Sequence, residues 1–138
     1  MMKTLIISIL LTFPIISILA QEENKREFQI TEGDTTYTMK QYFMVFLLRG
    51  EKANEFSEEQ LKEIQVSHLE HINRMSNEAN LIIAGPFGDD TEKRGVLIFD
   101  LATSAEVEQW VSQDPAVKAG RLTYEIHPWW AAKGSVLQ

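Results

Sequence analysis

Residues 42–48 read YFMVFLL, an unbroken run of apolar side chains that ends at Arg49 and Gly50. The run has the length of a strand and is rich in aromatic and branched residues, which favour β-structure. A strand with one face in water alternates apolar and polar residues, whereas this run is apolar at every position. The sequence therefore predicts a strand that is buried on both faces.

An amphipathic helix is predicted after this strand, over SEEQLKEIQVSHLEHINRMSNEAN at residues 57–80. Ser57 and Gln60 have the spacing of a capping box at its start. At about 100° per residue, the apolar residues collect in one stripe about 80° wide. That stripe comprises Leu61, Ile64, His68, Ile72, Met75 and Ala79. His68 lies near its middle and His71 at its edge, so His71 is assigned to the flank.

Two more strands follow the helix and are separated by a loop. Residues 81–85 (LIIAG) and 96–100 (VLIFD) are short apolar runs, so both are predicted to be strands. The connection GPFGDDTEKRG, over residues 85–95, is too long for a tight hairpin turn. Its Gly, Pro and Asp content is typical of an irregular loop beside a ligand, although its two adjacent aspartates are explained by solvation alone.

A second helix, a short helical turn and a last strand complete the pattern. Thr103 or Ser104 is the predicted N-cap of the helix. Asp114 is the predicted N-cap of the short turn, with Pro115 at its first helical position. The last strand is predicted over residues 122–127 (LTYEIH), ahead of the sequence PWW.

The order strand, helix, strand, strand, helix, strand predicts an α+β domain with the ferredoxin-like βαββαβ fold. In that fold an antiparallel sheet carries both helices on one face. Because the strands are apolar nearly throughout, the other face also needs a cover. A second copy of the chain is the simplest cover, so we predict a symmetric homodimer.

The N-terminal residues have the layout of an export signal. Residues 1–20 combine a lysine, a long apolar run and Ala20 before the polar QEENKRE. A retained membrane anchor is the alternative, since a run of this length is at the lower edge of what spans a bilayer. Pro14 and the small residue at the boundary favour cleavage, and with it an exported, periplasmic or secreted protein. Residues 21–38 are then a polar leader with room for a short edge strand, and residues 39–138 form the domain.

The composition argues against several functional classes. The chain carries a formal net charge of −7 and has no cysteine. An acidic chain without clustered Lys and Arg is not built to bind nucleic acid or, once the signal is removed, an anionic membrane. The absence of cysteine excludes disulfides, thiolate nucleophiles and cysteine zinc sites. Because the sequence has no phosphate loop, dinucleotide fingerprint or nucleophile elbow, no cofactor is predicted.

Two of the three histidines lie three residues apart, and three interpretations are open. His68 and His71 could share a metal ion, but zinc helices usually space two histidines by four residues and need a third ligand, so no metal site is predicted. His68 could instead be an acid-base group, as the one ionisable side chain of the apolar stripe. It could also be a core histidine bonded to a backbone carbonyl. Asp114 is explained by capping, yet its second oxygen could still face an imidazole.

Four motifs in register resemble the YCII-related (YciI-like) family. They are the helix histidine of HLEH, AGP before a variable loop, DP followed by AG, and PW at the end, spread over about residues 39–130. The resemblance implies a dimeric α/β barrel, which pairs two ferredoxin-like domains. It also implies a His–Asp dyad, at His68 and Asp114, in a cleft near the dimer interface. It places three further residues in the pocket wall: Gly85, Pro86 and Trp129.

The sequence departs from the family pattern at the end of the first helix. The family commonly has a glycine there, whereas this chain has NEANL at residues 77–81. Asn77 and Asn80 can adopt the left-handed conformation that ends a helix, so we expect one of them to replace the glycine.

The resemblance implies a lyase-like or isomerase-like activity, such as proton abstraction with loss of halide from a small unsaturated acid. The leading hypothesis is therefore a small exported enzyme. In it, His68 transfers a proton on a small unsaturated or aromatic-like substrate, and Asp114 orients the imidazole. The alternative is a non-catalytic dimer that binds a small ligand in the same cleft or serves as an accessory module of the cell envelope.

Overall fold

The computed structural model describes residues 26–137. Residues 1–20, on which the signal peptide was predicted, and the start of the polar leader lie outside this range, so export stays a prediction. Between residues 26 and 137, no helix has the length and apolar character that a membrane span requires.

The described residues form five strands and three helices, which follow one another in the predicted order. They are β1 (Glu27–Glu32), β2 (Thr35–Arg49), α1 (Glu58–Glu78), β3 (Leu81–Pro86), β4 (Lys93–Phe99), α2 (Ser104–Val111), α3 (Pro115–Lys118) and β5 (Leu122–Ala132). The elements β2, α1, β3, β4, α2 and β5 make the βαββαβ unit. The fold is α+β and ferredoxin-like, with an antiparallel sheet. β1 falls within the polar leader, and β2 begins before residue 39.

β2 is the central strand of the sheet. It pairs antiparallel with β1, β4 and β5, and β3 pairs antiparallel with β4. Met39 and Lys40 pair with both β1 and β5, while Phe43 to Leu48 pair with both β4 and β5. A strand has two hydrogen-bonding edges, so β1 and β4 lie end to end along one edge of β2 and β5 lies along the other.

The hydrophobic core lies between the sheet and the helices. Phe43, Val45 and Leu47 of β2 are buried, and they share one cluster with residues from α1, α2 and β4. The members of this cluster from those elements are Met75, Leu97, Phe99, Val107 and Val111. Both longer helices therefore cover the same face of the sheet.

The expectation that residues 42–48 are buried on both faces is wrong for the single chain. Tyr42, Met44, Phe46 and Leu48 point to the other face of the sheet and are only half-buried. The reason is that both helices pack on one face and no described element covers the other. We call the side chains of this second face, including Trp129 of β5, the open face.

Local capping interactions define the helix ends as predicted. Ser57 begins α1 and Thr103 begins α2, each with a complete capping box. After α1 the chain turns at Asn80, whose φ of 47° is left-handed, so an asparagine takes the place of the family's glycine.

β5 continues beyond the predicted strand, because PWW remains paired with β2. Pro128, Trp129 and Trp130 lie opposite Phe43, Tyr42 and Gln41. Among the described strands β5 pairs only with β2, so it is an edge strand. Proline is tolerated in an edge strand, because a backbone N–H on the outer side has no partner strand to bind.

Asp100, directly after β4, joins the β1–β2 hairpin to the end of β4. Its Oδ1 accepts from Arg26 Nη2 at 2.8 Å and its Oδ2 from Lys40 Nζ at 2.5 Å. Burial raises the pKa of this carboxyl, but the hydrogen bonds and positive charges of Lys40 and Arg26 outweigh burial and leave the pKa below its ordinary value. The carboxylate form is therefore stabilised by folding.

Asp100→Asn is expected to lower the free energy of unfolding by about 1 kcal/mol at neutral pH. Because folding lowers the pKa of Asp100, its contribution is present above the unfolded-state pKa and is lost as pH falls through the lowered native pKa. Urea unfolding of both proteins at neutral and at strongly acid pH measures this difference. Asp34→Asn is the control, since the Asp34 side chain makes no bond among residues 26–137. A difference that persists in acid would contradict the account.

Candidate functional site

A cleft of about 550 Å³ opens between α1 and the helix-covered face of the sheet. Its apolar walls include Leu47, Ile72 and Leu97, and His68 also lines it. Three arginines are also among the lining residues: Arg49, Arg94 and Arg121. The volume is in the range of small-ligand pockets, and the combination of apolar walls with a few polar groups is typical of them.

His68 and Asp114 are in direct contact beside this cleft. His68 Nδ1 lies 2.7 Å from Asp114 Oδ2, and the two residues are 8% and 1% exposed. Asp114 precedes α3, where its Oδ1 accepts from the Ala116 N–H at 2.8 Å. One carboxylate thus caps α3 and holds the imidazole, so the two roles considered for Asp114 occur together.

The contact with Asp114 determines which nitrogen of His68 can react. A carboxylate accepts only, so Nδ1 of His68 carries the hydrogen and the lone pair of the neutral ring is on Nε2. Within residues 26–137, Nε2 of His68 has no hydrogen-bond partner and is not among the fully buried polar atoms. Since His68 lines the cleft, a lone pair is available there to a bound molecule.

His71 has the role of a core histidine. It is 4% exposed, less than His68, and its Nε2 lies 2.8 Å from the carbonyl oxygen of Trp110 in the last turn of α2. That carbonyl also accepts from the Gln113 N–H at 3.2 Å, so the imidazole N–H is a second donor to an oxygen that has two lone pairs. The assignment of His71 to the flank of α1 is therefore wrong, because α2 packs against that side of the helix.

The metal interpretation of the two histidines has no third ligand among residues 26–137. Each imidazole uses one nitrogen for a different partner, Asp114 for His68 and the Trp110 carbonyl for His71. Across residues 26–137, no three His, Asp or Glu side chains are grouped so as to hold a metal ion.

The structure brings two of the three expected pocket-wall residues to the cleft. Gly85 and Pro86, at the end of β3, line it together with Arg94 and Gly95 from the other side of the predicted loop. Trp129 does not line it, and its ring lies 6.3 Å from the ring of Tyr42 on the open face. Leu122 of the same strand does line the cleft, and residues seven apart on a regular strand face opposite sides. The expectation for Trp129 is corrected accordingly.

The three arginines were missed by the sequence analysis. Arg49 ends β2, Arg94 is the second residue of β4 and Arg121 precedes β5. Antiparallel pairing brings these positions to the same end of the sheet. Gly50 allows close approach there, because a Cβ on it would lie 2.2 Å from the Gly120 carbonyl oxygen. The sequence signal that could have indicated these arginines is a basic residue at or next to one end of each of the three strands.

The sequence of residues 43–130 matches the YCII-related domain, and this match covers more than half of the chain. The chain belongs to the YCII-related family. The matched segment includes His68, Asp114 and the three arginines of the cleft, whereas β1 and the first half of β2 lie outside it. The ferredoxin-like fold expected from the resemblance is confirmed for the single chain, whereas the pairing of two chains into a dimeric α/β barrel stays a prediction.

Among solved structures, this YCII-related chain is similar to 5-chloro-2-hydroxyhydroquinone dehydrochlorinase from Burkholderia phenoliruptrix AC1100, solved in complex with 2,5-dihydroxybenzoquinone. The two are 18% identical and superpose with a TM-score of 0.47, over 64% of this chain and 92% of that one. No curated protein matches the sequence significantly. The substrate and the bound quinone belong to the dehydrochlorinase.

Two substitutions of Asp114 are expected to separate its capping role from its contact with His68. Asp114→Ala removes both and should lower the free energy of unfolding by about 2 to 3 kcal/mol. Asp114→Asn keeps an oxygen for the Ala116 N–H and should cost about 1 kcal/mol or less. Its amide N–H₂ faces Nδ1 of His68, so the ring hydrogen should move to Nε2.

Nitrogen NMR of ¹⁵N-histidine protein measures this change of tautomer. His71 is the internal control, because its hydrogen bond to the Trp110 carbonyl is unaltered. An unchanged His68 tautomer in Asp114→Asn would refute the orienting role of Asp114.

Proposed function

We propose that this protein is an enzyme that transfers a proton on a small unsaturated or aromatic-like substrate held in the cleft. His68 is the acid-base group and Asp114 is its positioning partner. The single observation that supports the proposal most is the asymmetry of the His68 ring. One nitrogen is bound to a buried carboxylate, and the other has no protein partner within residues 26–137.

The contact with Asp114 suits His68 to act as a base. The carboxylate holds the ring in one orientation and one tautomer, and it stabilises the imidazolium that forms when Nε2 takes a proton. The buried carboxylate cannot turn away, because its other oxygen is bonded to the backbone of α3. The geometry is therefore organised before a substrate binds, which lowers the reorganisation needed during the reaction.

The reaction proposed for this arrangement is proton abstraction next to an unsaturated system. Nε2 of His68 takes the proton, and the electron pair of the broken C–H bond moves into the double-bond system of the substrate. In a lyase reaction this pair expels a leaving group such as halide. In an isomerase reaction the imidazolium returns the proton to another carbon. Both outcomes balance without a cofactor, and none is proposed.

His68→Gln is expected to reduce the turnover number by about a hundred- to ten-thousand-fold, the usual contribution of a positioned acid-base group. Release of chloride from a panel of small chlorinated unsaturated acids measures turnover. His71→Gln is the matched control, one helical turn away, since a glutamine amide can also donate to the Trp110 carbonyl. With the folded fraction checked by circular dichroism, its turnover should match the wild type.

Two outcomes would go against the catalytic role of His68. Equal turnover in His68→Gln and the wild type would refute it directly. Binding of panel compounds in the cleft without turnover of any would favour the alternative, a module that binds a small ligand without catalysis.

We also propose that the chain forms a symmetric homodimer through the open face. In one chain this face presents the half-buried side chains Tyr42, Met44 and Phe46, and Trp129 beside them is 38% exposed. Exposed apolar area of this kind usually marks an interface. A second copy presents the same apolar surface, which suits a two-fold axis.

Light scattering after size exclusion is expected to give a dimer mass at low micromolar concentration. Met44→Glu places a charge in the middle of the open face and should give a monomer, because an unpaired buried charge is strongly unfavourable. Val66→Glu is the control, since Val66 is 58% exposed on α1. A sharp monomer peak for the wild type would show that the proposed dimer does not form.

A further inference from the structure

Three arginines line the cleft at one end of the sheet, although the whole chain is acidic. Arg49, Arg94 and Arg121 all line the cleft that contains His68, while the formal net charge of the chain is −7. Guanidinium groups at the mouth of an apolar cleft favour an anionic ligand, because low-dielectric walls strengthen their field.

Two of these arginines are already bonded to a carboxylate of the protein. Arg49 Nη2 and Arg94 Nη1 donate to the same oxygen of Asp90, Oδ1, at 2.8 and 2.7 Å. The hydrogen bonds from Arg94 and then Arg49 hold the pKa of Asp90 below its ordinary value. Asp90 is therefore ionised at neutral pH and occupies the arginine pair as an anion.

The Asp90 side chain is held only at this one oxygen. It is 84% exposed and lies in the segment between β3 and β4, where residues 87–92 belong to no strand. Within residues 26–137, its Oδ2 has no hydrogen-bond donor. Arg49 Nε also lies 3.7 Å from Glu92, which is 82% exposed. Exposed ion pairs of this kind are weak, so another carboxylate can replace Asp90.

From these contacts we infer that the cleft binds a small carboxylic acid, whose carboxylate displaces Asp90 from Arg49 and Arg94. The hydrocarbon part of the acid then contacts the apolar walls formed by Leu47, Ile72 and Leu97. This inference rests on the proposed function, because it names the class of substrate that His68 would act on. A carboxylate matches the site better than a neutral polar group, since each guanidinium can donate two parallel hydrogen bonds to it.

Benzoate and benzamide are the probes for this inference, since they share size and shape and differ in charge. Isothermal titration of the full chain is expected to show binding of benzoate and at least about tenfold weaker binding of benzamide. Benzoate affinity should also fall as salt is raised, because the arginines are partly exposed. Equal affinity for the two compounds would overturn the carboxylate assignment.

Asp90→Asn tests the displacement, because it removes the competing charge and keeps the shape of the side chain. Benzoate affinity should rise about three- to tenfold, as expected from the loss of two exposed ion pairs, while benzamide affinity should not change. Asp89→Asn is the matched control, since it removes one negative charge at the adjacent residue. The Asp89 side chain makes no bond among the described residues. Its effect should be less than about twofold. Arg94→Gln should weaken benzoate about tenfold or more.

A gain of affinity in Asp90→Asn cannot arise from damaged folding, so the test remains valid if Arg94→Gln folds poorly. No gain in Asp90→Asn, or an equal gain in Asp89→Asn, would overturn the displacement. His68→Gln separates this inference from the proposed function, because it should still bind benzoate. If His68→Gln retained turnover while Asp90→Asn bound benzoate more tightly, the acid-base role would fail and the carboxylate site would stand.

Discussion

The hydrogen bond between His68 and Asp114 is the contact on which the cleft depends. Asp114 is 1% exposed, and a buried carboxylate is unfavourable unless each oxygen has a partner. The imidazole and the Ala116 N–H satisfy the two oxygens, so the middle of α1 is joined to the start of α3. α3 in turn contacts β5, so this link ties α1 to the sheet through α3. It also leaves Nε2 of His68 as the free nitrogen of the ring.

The two histidines of α1 show how packing assigns different roles to similar residues. They are three positions apart, and both are nearly buried. His71 lies where α2 packs, so its N–H satisfies the Trp110 carbonyl and its role is structural. His68 lies where α1 faces the cleft, so only one of its nitrogens is used by the fold. The chemistry of the site thus follows from which neighbour covers each side of the helix.

Elements held by short-range contacts were predicted well, and those held by distant partners less so. The capping boxes of α1 and α2 and the turn at Asn80 involve residues within a few positions of one another, so local sequence determines them. β2 begins at Thr35 through its pairing with β1, and β5 continues to Ala132 through its pairing with β2, so pairing extends both strands beyond their apolar runs. Trp129 was misplaced for a similar reason. The face of the sheet on which its side chain lies follows from the register between β5 and β2, and not from its neighbours in sequence.

The sequence by itself determined the order of the elements, the fold class, the helix caps and the candidate pair of His68 and Asp114. Hydrophobic periodicity, capping patterns and family motifs depend only on which residue stands at each position, so they can be read without the tertiary structure. Only the tertiary structure decided that these two side chains meet, that His71 belongs to the core, and that three arginines from separate strand ends line one cleft. Those facts depend on how antiparallel strands align and on which side of α1 each neighbour packs. Residues far apart in sequence become neighbours through these contacts, and a single sequence carries no direct record of such distances.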